Sequence, residues 1–117
     1  MSDLMERYLA VWNETDTASR KTLLAESWAD TATYTDPLAE VDGLEAIDAT
    51  IAAVQAQFPG FVFTPVGTAD EHHSQARFQW GLGPAGAEPL VIGFDVVVTG
   101  ADGRIESVFG FLDKVPG

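Results

Sequence analysis

The segment LVIGFDVVV, residues 90–98, is an apolar run of strand-forming residues interrupted by a single carboxylate, Asp95. Aspartate is depleted in strands and is almost never fully buried without a partner. If the strand shows one face to water, Asp95 can point outward. If the strand is covered on both faces, burial raises the pKa of Asp95 until it keeps its proton and can donate a hydrogen bond. The segment alone leaves both orientations open.

Turn residues divide the C-terminal half of the chain into short strands. The pattern of β-branched and aromatic residues predicts strands over residues 61–66, 72–82, 88–99 and 104–112. The segments GPAG (83–86) and GADG (100–103) are typical hairpin connections. Consecutive strands joined in this way predict an antiparallel sheet.

The N-terminal half shows helical spacing instead. Apolar residues recur at helical intervals up to about residue 13, from residue 18 to 28 and from residue 44 to 58, and Tyr8 shares a face with Trp12. Residues 31–35 predict a short strand that stops at Asp36, because the following proline donates no N–H. Helices followed by an antiparallel meander predict one α+β domain over residues 1–117, with the helices on one sheet face.

The charge and composition of the chain argue against several classes of partner. Eighteen acidic and six basic residues give a net charge of −12, which repels phosphate backbones and anionic membranes. No apolar stretch approaches the ~20 residues needed to cross a bilayer. The chain has no cysteine, and its N-terminus lacks the pattern of a signal peptide. We therefore expect a cytoplasmic protein that binds neither nucleic acid nor membranes.

Two groups of motifs resemble the NTF2-like superfamily and, within it, the SnoaL-like proteins. The first is WADTATYTDP (28–37), followed by Gly43 at the start of a predicted helix. The second comprises GFDV (93–96), DGRI (102–105) and GFLD (110–113). The resemblance covers essentially the whole chain. It implies an NTF2-like cone, in which three N-terminal helices pack on a curved antiparallel β-sheet and enclose an apolar pocket.

Three positions also resemble the active site of ketosteroid isomerases. Those enzymes carry an Arg-Tyr pair in the first helix, a general base in a strand-ending Asp-Pro, and a protonated Asp in the strand before the last hairpin. The matching residues here are Tyr8, Asp36 and Asp95. The resemblance implies that Asp36 takes a proton from carbon next to a carbonyl, while Tyr8 and Asp95 donate hydrogen bonds to the developing oxyanion.

The resemblance further implies an apolar cavity for a small carbonyl compound that is steroid-like or polyketide-like, with no cofactor and no metal. The expected substrate-binding residues are Trp12, Tyr34, His72, Phe78, Trp80, Val91 and Leu112. Both faces of strand 88–99 are apolar, which predicts a homodimer that covers the outer face of the sheet. Isomerisation and intramolecular aldol cyclisation share this enolate chemistry.

Other interpretations stay open at this point. Tyr8 could be a packed core aromatic, and Asp36 could only cap the turn before Pro37. Scytalone-dehydratase-like members of the superfamily use His and Asp for elimination, so His72 could pair with Asp36. A non-catalytic domain that binds hydrophobic ligands or dimerises is the remaining alternative. The isomerases also support their active-site tyrosine with further tyrosines, whereas the approximate matching positions here are Trp28 and Ile51.

Overall fold

The helices form one layer above the sheet. The computed structural model describes residues 3–116 of the chain, so the ends of the expected domain lie outside the described residues. The helices are α1 (Asp3–Asn13), α2 (Thr17–Ser27) and α3 (Leu44–Gln57). The side chain of Asp16 caps α2 by accepting a hydrogen bond from the backbone N–H of Ser19. None of the helices within this range is long and apolar enough to cross a membrane.

The sheet contains six strands in the order β2-β1-β6-β5-β4-β3. The strands are β1 (Trp28–Asp36), β2 (Ala39–Asp42), β3 (Phe61–His72), β4 (Gln75–Pro84), β5 (Val91–Thr99) and β6 (Ile105–Lys114). Strands β1 and β6 run parallel, and the other neighbours are antiparallel. The α+β class predicted from the sequence is confirmed, with a mixed sheet rather than a purely antiparallel one.

The short strand β2 is not among the strands that the sequence pattern predicted. Oδ1 of Asp36 accepts hydrogen bonds from the backbone N–H groups of Leu38 and Ala39, both at 2.8 Å. These bonds reverse the chain tightly after Pro37, so β2 returns along β1. Asp36 therefore does shape the turn, as one interpretation of the sequence held.

The predicted boundary between the strands at residues 61–66 and 72–82, which correspond to β3 and β4, was wrong. Strand β3 continues through His72, and the hairpin turn falls at His73 and Ser74 instead of before residue 72. His73 takes a positive φ of 56°, a conformation that only a minority of non-glycine residues adopt. No glycine or proline marks this turn, so the sequence pattern did not reveal it.

The side chains that alternate along β4 and β5 divide cleanly between an inner and an outer face. Ala76, Phe78 and Trp80 of β4 are buried, as are Val91 and Asp95 of β5. The intervening residues of β5 are only partly covered, which leaves an apolar outer face. The helices cover the inner face, and this decides the orientation that the sequence left open: Asp95 points inward and is 2% exposed.

Polar contacts hold the helices in place, both on the sheet and against one another. Asn13, at the end of α1, exchanges two hydrogen bonds with the backbone of Phe63 in β3, at 2.9 and 2.7 Å. A buried ion pair joins α2 to α3, with Nε of Arg20 2.5 Å from Oδ1 of Asp48. Gln55 of α3 also accepts a hydrogen bond from Arg20. The position of α1 determines where Tyr8 and Trp12 meet the sheet.

Candidate active site

A cavity of about 230 Å³ lies between the helices and the inner face of the sheet. Aromatic and aliphatic side chains make most of its wall, and a few polar groups converge at one side. The aromatic lining residues are Tyr8, Trp12, Tyr34, Phe58, Phe63 and Trp80. The aliphatic ones are Leu9, Leu38, Val54, Leu82, Val91, Leu112, Val115 and Pro116, and the polar ones are Asp36, Gln57 and Asp95.

Asp95 is the more deeply buried of the two carboxyl groups in the cavity. Its Oδ2 accepts a hydrogen bond from the Tyr8 hydroxyl at 2.6 Å and another from Nε1 of Trp80 at 2.9 Å. Trp80 lies directly opposite Gly93 in the β4–β5 pairing, and a Cβ on that glycine would lie 2.0 Å from the indole ring. Glycine at position 93 therefore lets the indole lie across β5 and reach the carboxyl group.

Burial is the main influence on the pKa of the Asp95 carboxyl group. It raises the pKa of Asp95 to about 6, while the hydrogen bonds from Tyr8 and Trp80 act in the opposite direction. The negative charge of Asp36 adds to the increase. The pKa of the Tyr8 phenol is well above its ordinary value because the ring is buried and faces Asp95. Asp95 therefore keeps its proton to a higher pH than an ordinary aspartate does.

Asp36 lies at the end of β1, in a more open part of the same cavity. Its Oδ2 accepts a hydrogen bond of 2.6 Å from the Tyr34 hydroxyl, and its Oδ1 accepts the two backbone N–H bonds of the turn. Burial, together with the charges of Asp95 and Asp36, raises the pKa of Tyr34. The Tyr34 hydroxyl and the two backbone N–H groups thus fix the orientation of the Asp36 carboxylate. The raised pKa means that Tyr34 keeps its proton.

Gly110 of β6 separates the two carboxyl groups. It lies opposite Asp95 in the β5–β6 pairing. A Cβ at this glycine would lie 2.7 Å from Oδ1 of Asp95 and 3.3 Å from Cβ of Asp36. The absence of a side chain at position 110 therefore allows the two acids to approach the same region of the cavity.

The structure brings together most of the residues singled out from the sequence. Tyr8, Asp36 and Asp95 line one cavity, together with the expected binding residues Trp12, Tyr34, Trp80, Val91 and Leu112. Two expected binding residues do not line it. Phe78 is buried beneath Tyr8, with ring centroids 5.3 Å apart, so it supports the phenol from below the cavity wall.

His72 is the second exception, and the prediction that it enters the cavity was wrong. Its side chain is exposed, contacts Gln75 and His73, and borders a separate surface recess. The prediction assumed one continuous strand from His72 to Ala76, whereas the hairpin turn between them breaks the alternation. A His72–Asp36 pair is therefore excluded. Within residues 3–116 no three His, Asp or Glu side chains lie together as a metal site.

Sequence reasoning missed the polar contacts of Tyr34 and Trp80, which it assigned only to the apolar wall. The bond from Tyr34 to Asp36 had a local signal, because residues two apart in a strand point to the same face. The bond from Trp80 to Asp95 depends on the register between two strands and had no such signal. Trp28 and Ile51 are fully buried, and Trp28 stacks on the Tyr8 ring at 5.9 Å.

Comparison with known families agrees with this architecture. The model of the SnoaL-like domain matches residues 5–108. The chain belongs to the SnoaL-like family. A crystal structure from Agrobacterium tumefaciens, described as "a putative isomerase of the SnoaL-like family", is 40% identical to this SnoaL-like chain. That match covers 94% of each chain, with a TM-score of 0.89.

More distant structures share the fold of this SnoaL-like protein. A "putative polyketide cyclase" from Sinorhizobium meliloti is 19% identical over 94% of each chain, with a TM-score of 0.72. An NTF2-like protein of unknown function from Cytophaga hutchinsonii is 14% identical over 95% of this chain and 88% of its own, with a TM-score of 0.70. The fold is thus NTF2-like. No functionally curated protein matches the chain.

Proposed function

We propose that this protein removes a proton from carbon next to a carbonyl group of a small apolar compound, in an isomerisation or an intramolecular aldol cyclisation. The observation that carries the proposal is a pair of carboxyl groups in opposite environments at one apolar cavity. Asp36 is half-buried and held by three donors, whereas Asp95 is buried and has a raised pKa. Such divergent environments are what an acid–base pair requires.

Asp36 is the proposed general base. The Tyr34 hydroxyl and two backbone N–H groups fix its orientation without removing it from the cavity wall. A base held in one orientation can take a proton from one carbon of a bound ligand and return it to another. Tyr34 keeps its own proton because its pKa is raised, so it positions Asp36 rather than competing with it.

Asp95 and Tyr8 are the proposed oxyanion stabilisers, and their roles depend on the proton of Asp95. When Asp95 is ionised, Tyr8 and Trp80 both donate to it, so neither proton is free for a ligand. When Asp95 is protonated, its O–H can donate to the Tyr8 oxygen, and the Tyr8 O–H then turns to the carbonyl oxygen. Each such donor lowers the barrier by ~3 kcal/mol in known sites of this kind.

The volume of the cavity narrows the range of substrates. At about 230 Å³ the enclosed space lies below the roughly 300–1,000 Å³ of typical ligand sites. A compound of one or two rings fits this space, whereas a four-ring steroid would extend through the mouth beside Leu38 and Val115. Both of these side chains are largely exposed. We therefore favour a mono- or bicyclic ketone as the substrate.

The test is conversion of β,γ-unsaturated ketones, from one ring to four, to their conjugated isomers, followed by ultraviolet absorbance. We expect Asp36→Asn and Asp95→Ala each to lower kcat by ~10² or more. Asp30→Asn, on the exposed face of β1, is the matched control and should leave kcat unchanged. Full activity in Asp36→Asn would overturn the assignment of the base. If the wild type converts none of these ketones, isomerisation is ruled out, and an aldol cyclase acting on another substrate or a ligand-binding domain remains.

The pH profile separates two possible roles of Asp95. If Asp95 must be protonated to support the oxyanion, kcat should fall as the pH rises through about 6. If Asp95 were itself the base, kcat would rise through the same interval. The profile of Asp95→Ala should lack this step in either case, which assigns it to Asp95.

A further inference from the structure

Trp12 carries a buried hydrogen-bond donor that the roles described above do not use. The side chain extends from α1 into the cavity wall, between the rings of Tyr34 and Phe63, with centroid distances of 5.5 and 5.3 Å. The residue is 5% exposed, and its Nε1 has no hydrogen-bond partner within the described part of the chain. Leaving a buried donor unpaired costs about 1–3 kcal/mol, so an orphan of this kind in a cavity wall needs an explanation.

The other buried donors of the cavity are already engaged. The Tyr8 hydroxyl and the Trp80 indole donate to Asp95, and the Tyr34 hydroxyl donates to Asp36. Among the buried side chains found to line the cavity in residues 3–116, Trp12 alone has a donor without a partner. A ligand oxygen that enters the cavity can therefore bind this N–H without breaking a hydrogen bond of the protein.

The orphan donor lies next to the proposed reaction centre. Trp12 follows Tyr8 by one helical turn, so the two side chains share a face of α1, with ring centroids 6.3 Å apart. The Trp12 N–H faces the phenol oxygen of Tyr8 closely enough to lower the pKa of that phenol, against the larger effect of burial, but it forms no well-aligned hydrogen bond with it. An oxygen placed beside the Tyr8 hydroxyl is thus also within the neighbourhood of the Trp12 donor.

We propose that the Trp12 indole N–H binds the carbonyl oxygen of the substrate and makes the cavity selective for ligands with a hydrogen-bond acceptor beside Tyr8. This inference rests on the proposed function for the identity of that oxygen as the reacting carbonyl. The bond to Trp12 forms in the ground state and strengthens as negative charge develops on the oxygen. Ligands of the same shape without an acceptor leave the donor unpaired.

Two planar ligands that differ by one atom test this selectivity. The carbonyl oxygen of 2-acetylnaphthalene is replaced by a CH₂ group in 2-isopropenylnaphthalene. Dissociation constants are measured by NMR titration for the wild type, Trp12→Phe and Trp28→Phe. Loss of ring contact in Trp12→Phe affects both ligands, so the ratio of the two constants reports only on the oxygen. Trp28 is the matched control, because its Nε1 is also buried and unpaired but does not line the cavity.

We expect the preference for the ketone to fall about fivefold in Trp12→Phe, the equivalent of one hydrogen bond, and to stay unchanged in Trp28→Phe. An equal ratio in the wild type and Trp12→Phe would overturn the proposal. A second measurement needs no variant of uncertain folding. In the ¹H–¹⁵N spectrum of the wild type, one indole N–H resonance should move downfield with the ketone and not with the alkene; the absence of that difference would likewise refute the assignment.

Failure of this inference can be distinguished from failure of the proposed function. If the Trp12 N–H responds to the ketone but no β,γ-unsaturated ketone is isomerised, the binding role stands and the proposal of isomerisation falls. If isomerisation depends on Asp36 while the ketone preference is the same in Trp12→Phe, the catalytic proposal stands and the role of Trp12 falls.

Discussion

Replacing Asp95 by asparagine should stabilise the folded protein at alkaline and neutral pH. The pKa of Asp95 is about 6 in the folded protein, compared with an ordinary value of 3.8, because the carboxyl group is buried. The folded state therefore binds this proton more tightly than the unfolded state does. The stabilising contribution is fully present below pH 3.8 and is lost as the pH rises through about 6.

The size of the effect follows from the two pKa values. The difference between a pKa of about 6 in the folded protein and 3.8 in the unfolded chain corresponds to about 3 kcal/mol. Above pH 6 the free energy of unfolding of the wild type is lower by this amount, because the buried group is then ionised. Asparagine has nearly the same shape, and its amide oxygen can accept the bonds from Tyr8 and Trp80 without carrying a charge. We expect Asp95→Asn to be more stable than the wild type by about 1–3 kcal/mol at about pH 8, with the difference vanishing near pH 4.

The assay is urea unfolding, followed by tryptophan fluorescence, across this pH range. Comparing the two proteins at each pH cancels the titration of the other carboxyl groups, and Asp30→Asn on the exposed face of β1 controls for removal of a negative charge. A variant that is no more stable than the wild type at about pH 8 would refute the reasoning. That result would mean that the bonds from Tyr8 and Trp80 stabilise the carboxylate more than burial penalises it.

Three further changes probe other parts of the molecule. Asp48→Ala should lower the free energy of unfolding by about 3–5 kcal/mol in urea, because it leaves the buried Arg20 guanidinium without its carboxylate; a loss under 1 kcal/mol would contradict this. Gly110→Ala should lower kcat at least about tenfold in the isomerisation assay, since the new Cβ would meet Oδ1 of Asp95 at 2.7 Å; wild-type kcat would show that β6 can shift. Phe111 is 57% exposed on the outer face of the sheet, where we propose that a second copy of the chain binds. Phe111→Asp should therefore convert the homodimer to a monomer in light scattering, whereas a wild type that is itself monomeric would contradict the proposed homodimer.

Local sequence patterns predicted the secondary structure well where the signal was local. Helical spacing located the helices to within about one residue, and it correctly predicted that Tyr8 and Trp12 share a face of α1. The Asp36-Pro37 step correctly marked the end of β1. The patterns failed at the turn around His73, which lacks glycine and proline, and this error placed His72 in the wrong environment.

The sequence by itself determined the α+β class, the order of the helices and of every strand except β2, and the chemical types available for a site, because propensity and periodicity act over a few neighbouring residues. Only the tertiary structure decided that Asp95 points inward and accepts a hydrogen bond from Nε1 of Trp80. That outcome requires the helices to cover one sheet face, and it requires Gly93 and Gly110 to stand beside the right partners. Strand register and layer packing join residues far apart in the chain, so no local pattern carries them.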